Sequence, residues 1–294
     1  MRRLVAILIC GALLPAVASR AQVFAPNAAG VAMSHWHTIV RDVEATKRFW
    51  TLMGATPIKV DGIDVMKFPG VVIFLHKGEP SGSTMGSRID HVGFNVVNGD
   101  KLVVKMKAAG VKTDPTAGTR APDSKSASWG NVYSPDGLKA EFLERSRLWD
   151  GRTQEKALTV PIAAEQIHFF LPDAAVKDAL GLYAKIVGAQ PVTDPIPGPN
   201  QVILVPAVEL KFSGETNARE TKDLPKPLAP IKGRTLDRIG FEVKNLEAYC
   251  KKLESTGVKF DKPYSKSRYP SYASAEFTDP WGVTAELTEG LNRF

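Results

Sequence analysis

Asp90-His91-Val92-Gly93-Phe94-Asn95-Val96 and Asp237-Arg238-Ile239-Gly240-Phe241-Glu242-Val243 are two copies of one pattern. Each alternates apolar and polar residues, carries glycine at its fourth position and is followed two residues later by asparagine (Asn98, Asn245). Period-two alternation predicts a strand. Apolar residues then recur at spacings of three and four, predicting helices to Ala109 and from Leu246 to Thr256, and Gly110 and Gly257 stand where a left-handed C-cap is wanted. The same grammar, with aspartate at the turn, begins at His35-Trp36-His37-Thr38-Ile39-Val40-Arg41-Asp42 and runs through a helix to Met53 and Gly54. It begins again at Gln166-Ile167-His168-Phe169-Phe170, passes Asp173, and reaches a helix to Val187 and Gly188.

Four repeats of a strand-helix unit therefore fill the chain. Short β-like runs such as Val71–Leu75 and Val202–Val205 follow the helices. The second and fourth units close alike, on Ser134-Pro135-Asp136-Gly137-Leu138-Lys139-Ala140-Glu141 and Asp279-Pro280-Trp281-Gly282-Val283-Thr284-Ala285-Glu286. The two glutamates lie 145 residues apart, and His91 and Arg238 lie 147 apart. That spacing reads as a duplication of a two-unit block. Units one and two are expected to form an N-terminal domain over residues 33–146, and units three and four a C-terminal domain over 165–290, with 147–164 as linker.

Composition narrows the class. The 294 residues, 44% hydrophobic and 23% charged, match a soluble globular protein long enough for two domains. Met1-Arg2-Arg3, the apolar run Leu4–Ala18 and the small residues up to Ala21 have the layout of a secretory signal peptide. The expected location is thus periplasmic or secreted, with residues 1–21 removed and no stable membrane insertion afterwards. Cleavage would remove Arg2, Arg3 and Arg20 and lower the formal charge from +7 to +4. The remaining lysines and arginines are scattered among acids, so no nucleic-acid surface is read. Cys250 would then be the remaining cysteine, unable to form an internal disulfide and placed on a predicted helix as a packing residue.

A strand, a helix and three strands, repeated in pairs and ending in Pro-x-Gly-x-x-x-Glu, resemble the vicinal oxygen chelate superfamily of glyoxalases, bleomycin-resistance proteins and ring-cleaving dioxygenases. The resemblance implies an α+β fold of four βαβββ units, paired into two half-open mixed-sheet barrels with helices outside. In that family a first-strand ligand lies seven residues before the turn residue, which gives His35 from Asp42 and His91 from Asn98. The last strand of unit two gives Glu141, and the matching position of unit one falls on Phe74, which cannot coordinate.

The resemblance thus implies one divalent ion (Fe2+, Mn2+, Zn2+ or Ni2+) on His35, His91 and Glu141. Two neutral imidazoles and a carboxylate suit such ions and leave positions open for water and substrate. His37 shares a strand face with His35, and His76 one with Phe74, so both are expected near the same cavity as catalytic or supporting groups. Against this stands the ordinary fate of a histidine, a satisfied core or surface residue. Tyr133 is a further catalytic candidate, displaced by two residues from the tyrosine of the extradiol signature. Trp36, Phe74, Arg120 and Trp129 are expected to contact substrate, Arg120 from the loop Asp114–Ser128, although aromatic core packing is the commoner fate of such rings.

The second block offers Gln166, Arg238 and Glu286 at the equivalent positions. Arginine stays protonated and cannot ligate a cation. Arg238 and Glu286 are therefore read as an ion pair, the C-terminal block as having lost its metal, and His168 as core. Two functions stay open: a metal-dependent enzyme acting on a small oxygenated substrate, with ring-cleaving dioxygenase chemistry preferred, or a protein that sequesters a small molecule without metal. The state is a monomer or homodimer.

Overall fold

The computed structural model describes residues 25–115, 117–118, 128–144, 160–193, 200–216, 221–224, 226–266, 268 and 270–294. The predicted signal peptide, Arg120 and most of the 114–128 loop and the linker lie outside them.

In chain order the elements are β1 (Val31–Val40), α1 (Val43–Met53), β2 (Thr56–Val60), β3 (Ile63–Phe68) and β4 (Val71–Lys77) for the first unit. The second holds β5 (Ile89–Val96), α2 (Gly99–Ala108), β6 (Trp129–Tyr133) and β7 (Lys139–Leu143). The third holds β8 (Ile162–Leu171), α3 (Val176–Val187), β9 (Pro191–Thr193), β10 (Gln201–Val205) and β11 (Val208–Gly214). The fourth holds β12 (Leu236–Val243), α4 (Leu246–Ser255), β13 (Lys262–Ser265), β14 (Ala273–Thr278) and β15 (Thr284–Glu289).

Local chemistry sets these boundaries. The Asp42 carboxylate accepts from the Ala45 amide at 2.8 Å and the Asn98 side-chain carbonyl from the Lys101 amide at 2.8 Å, each satisfying an amide that the first helical turn leaves unpaired. Gly54 (φ 115°) and Gly188 (φ 63°) end α1 and α3 in the left-handed conformation. Thr46, Phe49, Trp50 and Met53 form the buried stripe of α1, and Leu246, Tyr249, Cys250 and Leu253 that of α4. Burial raises the Cys250 thiol to about 11, which fits packing and not reactivity.

Two mixed sheets result. One runs β13-β14-β15-β12-β1-β4-β3-β2, the other β6-β7-β5-β8-β11-β10-β9. The expected pairing of units is thereby corrected: unit one joins unit four through antiparallel β1 and β12, and unit two joins unit three through antiparallel β5 and β8. Ile162–Ala164, expected in the linker, begin β8.

Registers show why the sequence could not choose. His35 lies opposite Gly240, and Gln166 opposite Gly93. A Cβ on either glycine would overlap the side chain facing it. Both even units supply the glycine and both odd units the bulky polar group, so either pairing meets the same steric demand. One hydrophobic core spans both sheets and the helices; Trp36, Trp50, Phe68 and Phe94 interlock in it at ring separations of 4.8 to 5.8 Å.

Candidate metal centre

The strand partners bring corresponding residues of the two sheets to corresponding places. In the first sheet β1 presents His35 and His37, β12 Arg238, β4 Phe74 and β15 Glu286, with Phe74 level with His37 and Glu286 level with Gly240. In the second, Gln166 replaces His35, His168 replaces His37, His91 replaces Arg238, Lys211 replaces Phe74 and Glu141 replaces Glu286. The predicted ligand set is therefore divided. His35 stands in one sheet, and His91 and Glu141 stand in the other.

What His35 meets is Glu286. Its Nε2 lies 3.1 Å from Glu286 Oε2, and Nε2 of His37 lies 2.8 Å from the same oxygen. Among the described residues these three form the group able to hold a metal ion, with ligand atoms all within 4.8 Å of one another and each residue buried. Two ligands at right angles, each about 2.1 Å from a shared ion, stand about 3 Å apart. The oxygen-to-nitrogen spacings fit that.

Hydrogen bonding supports the fit. The Ser34 hydroxyl lies 2.6 Å from His35 Nδ1 and 3.3 Å from the Gly240 carbonyl, to which it donates. In the tautomer protonated at Nδ1, the Nε2 lone pair faces the Glu286 carboxylate at 3.1 Å, an arrangement that a cation between them would satisfy. His37 Nε2 is buried with no aligned hydrogen-bond partner, although Glu286 is near. Its Nδ1 lies 2.7 Å from His76 Nε2, so His76 fixes the orientation of the ring. Phe74 stacks on His37 at 4.5 Å, nearly parallel, and packs toward Tyr272.

Charge states follow from burial. Burial depresses His37 to about 3, more than Glu286 raises it, so the ring is neutral near pH 7. Burial pushes Glu286 up, but the two imidazoles against it outweigh burial and hold the carboxyl well below its usual range. A neutral imidazole and an ionised carboxylate are the forms that ligate. Arg238 also faces Glu286, its Nε 3.3 Å from Oε2, as the sequence suggested. Glu286 of the C-terminal half lies in this candidate group, where the sequence placed no ligand from that half.

The second cluster is arranged differently. His91 Nδ1 lies 3.0 Å from Asp90, which also pairs with Lys139 at 2.8 Å. His91 Nε2 lies 3.3 Å from His168 and 3.5 Å from Glu141, and the Gln166 amide donates to Glu141. Burial lowers the His91 pKa, but Asp90 and Glu141 overcome this and raise it. His168, depressed well below its ordinary value by burial and by the charges of His91 and Lys211, pairs with the Ser213 hydroxyl at 2.7 Å.

Other expectations resolve individually. Trp36 is fully buried against Phe94, because alternation along β1 turns it to the core face away from His35 and His37; it does not line the cluster. Trp129 begins the edge strand β6 and is 36% exposed. The Tyr133 hydroxyl donates to Asp114 at 2.7 Å in the second sheet, and the structure does not bring it to the His35 cluster. His76 and Phe74 do reach it. Tyr133 borders a cleft of about 770 Å³ between α1 and the 134–137 turn, whose lining includes none of the cluster residues. Glu286 was visible in sequence as the counterpart of Glu141; what sequence lacked was the strand that carries its partners.

Residues 166–287 match the family model described as Glyoxalase/Bleomycin resistance protein/Dioxygenase superfamily. They belong to that superfamily. The α+β architecture of the chain agrees: glyoxalase I from Zea mays aligns with a TM-score of 0.65 at 15% identity, over 90% of this chain and 94% of that one. A putative dioxygenase from Bacillus subtilis subsp. subtilis str. 168 aligns with a TM-score of 0.59 at 14% identity, over 88% and 84%. No curated protein matches this chain in sequence. Within a glyoxalase-like architecture, the His35–His37–Glu286 group draws on both halves of the chain.

Proposed function

We propose that this chain is an exported, metal-dependent enzyme that holds one divalent ion on His35, His37 and Glu286. It acts on a small oxygenated molecule that chelates the ion through neighbouring oxygens. The convergence of two buried imidazoles on one ionised carboxylate carries this reading. A two-histidine, one-carboxylate set with open positions is the donor chemistry of non-haem Fe(II) oxygenases, which favours ring-cleaving dioxygenase chemistry over glyoxalase chemistry. Zinc, manganese and nickel also suit these donors. When bound, the ion supplies Lewis acidity toward a substrate oxygen. The chain's own groups position it: Ser34 and His76 orient the two rings, and Phe74 holds His37 flat against its face.

A second reading rests on Arg238. Its ion pair with Glu286 already neutralises the carboxylate, as in a metal-free protein that sequesters a small molecule. Metal analysis of protein purified anaerobically separates the two. About one divalent ion per chain, lost in Glu286→Gln and His37→Ala, together with oxygen uptake on a catechol, is the expected result. A chain that binds no divalent ion with useful affinity overturns the metal reading and leaves the sequestering alternative standing.

A further inference from the structure

The charge around Glu286 bears on what the site can accept. Three cations, Arg238, Lys232 and Lys262, face three carboxylates. Arg238 Nη1 contacts Asp237 at 2.7 Å, and its Nε lies 3.3 Å from Glu286 and 3.7 Å from Glu276. Lys232 and Lys262 hold Glu276 at 3.1 and 2.9 Å. Glu242, engaged by Thr288 and the Gly290 amide, is a further acid nearby. A divalent ion would thus leave positive charge in surplus even with Glu242 counted as ionised. The Arg238 side chain is 20% accessible, against 9% for Glu286 and 4% for Glu276.

We infer that the loaded site selects an anionic chelator, a small 2-oxo or 2-hydroxy carboxylate, with Arg238 holding the carboxylate. This rests on the metal reading above and goes beyond it by naming the substrate class. Arginine suits the task because its planar fork matches a carboxylate, which a lysine's point charge does not. Once an ion takes up the charge of Glu286, the Arg238 Nε that faces it is free to turn to a ligand. A neutral dicarbonyl would leave the surplus uncompensated.

Oxalate, oxamate and oxamide are near-isosteric vicinal chelators carrying two, one and no negative charges. Their affinities for the Mn(II)-loaded full chain are compared in wild type, Arg238→Gln and Arg238→Lys, with Mn(II) content measured on the same samples. Because any metal prefers the more anionic chelator, the informative quantity is the change between variants. Arg238→Gln should weaken oxalate by roughly 10- to 100-fold, the loss of one charge-assisted hydrogen bond, and oxamide by less than about 3-fold. Arg238→Lys should fall between. Normal Mn(II) uptake with equal losses for all three ligands, or none, overturns the inference while leaving the metal reading intact. A wild-type chain that takes up no Mn(II) overturns both. Should Arg238→Gln fail to fold, Arg238→Lys decides, and oxalate binding equal to wild type counts against the inference.

Discussion

The pairing of units one and four can be tested by a steric double-mutant cycle. Gly240 has no positive φ, so alanine there meets no backbone strain. Its Cβ would instead overlap three ring atoms of His35. The ring is fully buried and held by Ser34 and Glu286, so it cannot swing clear at little cost. Overpacking of this kind costs about 1–3 kcal/mol. Taking about 2 kcal/mol, and about 2–4 °C per kcal/mol for a domain of this size, Gly240→Ala should unfold roughly 4–8 °C below wild type. In a His35→Ala background the obstruction is gone, and the same substitution should cost under about 0.5 kcal/mol. The coupling is then about 2 kcal/mol for His35 with Gly240 and near zero for His35 with Gly93, which the structure places against Gln166. Urea unfolding of the two cycles provides the measurement. If His35→Ala relieves Gly93→Ala instead, units one and two pair after all, and the assignment of Glu286 to the metal fails with that arrangement.

In metal-free protein, His37 should make stability fall with acid. The unfolded ring takes a proton below about pH 6.5, whereas the folded one refuses it until about pH 3. The unfolded state therefore binds more protons across that window, and up to about 4–5 kcal/mol is lost as pH falls through it; His37→Asn should flatten the acid limb in urea titrations under chelator. His91, raised in the folded state, acts in the opposite sense. Its contribution is present below pH 6.5 and lost as pH rises through the folded value, so His91→Asn should reduce the loss seen on the alkaline side. Tyr133→Phe should leave metal uptake unchanged and cost on the order of 1 kcal/mol, through the bond to Asp114; impaired uptake would return Tyr133 to the site. Expressed with its full N-terminus, the chain should leave the cytoplasm and lose residues 1–21, and an intact Met1 in the recovered protein, read by mass spectrometry, would refute export.

Much of the candidate site was legible as residue identities. His35 and Glu286 occupy repeat-defined positions, His37 and His76 follow from strand alternation, and the inability of Arg238 to ligate follows from its chemistry. Trp36 misled because a strand has two faces and the period alone does not say which faces the core. Tyr133 misled because nearness to a motif in sequence says nothing about what its hydroxyl meets; Asp114 approaches it from a separate segment.

The four units, their glycine-ended helices and the α+β class are determined by the sequence itself, because alternation, helical spacing and turn residues act within about ten residues of chain. The partnership of units was decided only by tertiary structure. Each even first strand offers a glycine, each odd one a bulky polar side chain, and each even last strand a glutamate, so both pairings are locally acceptable. The choice lies in long-range packing of one core across two sheets, and that choice moves the carboxylate beside His35 from Glu141 to Glu286.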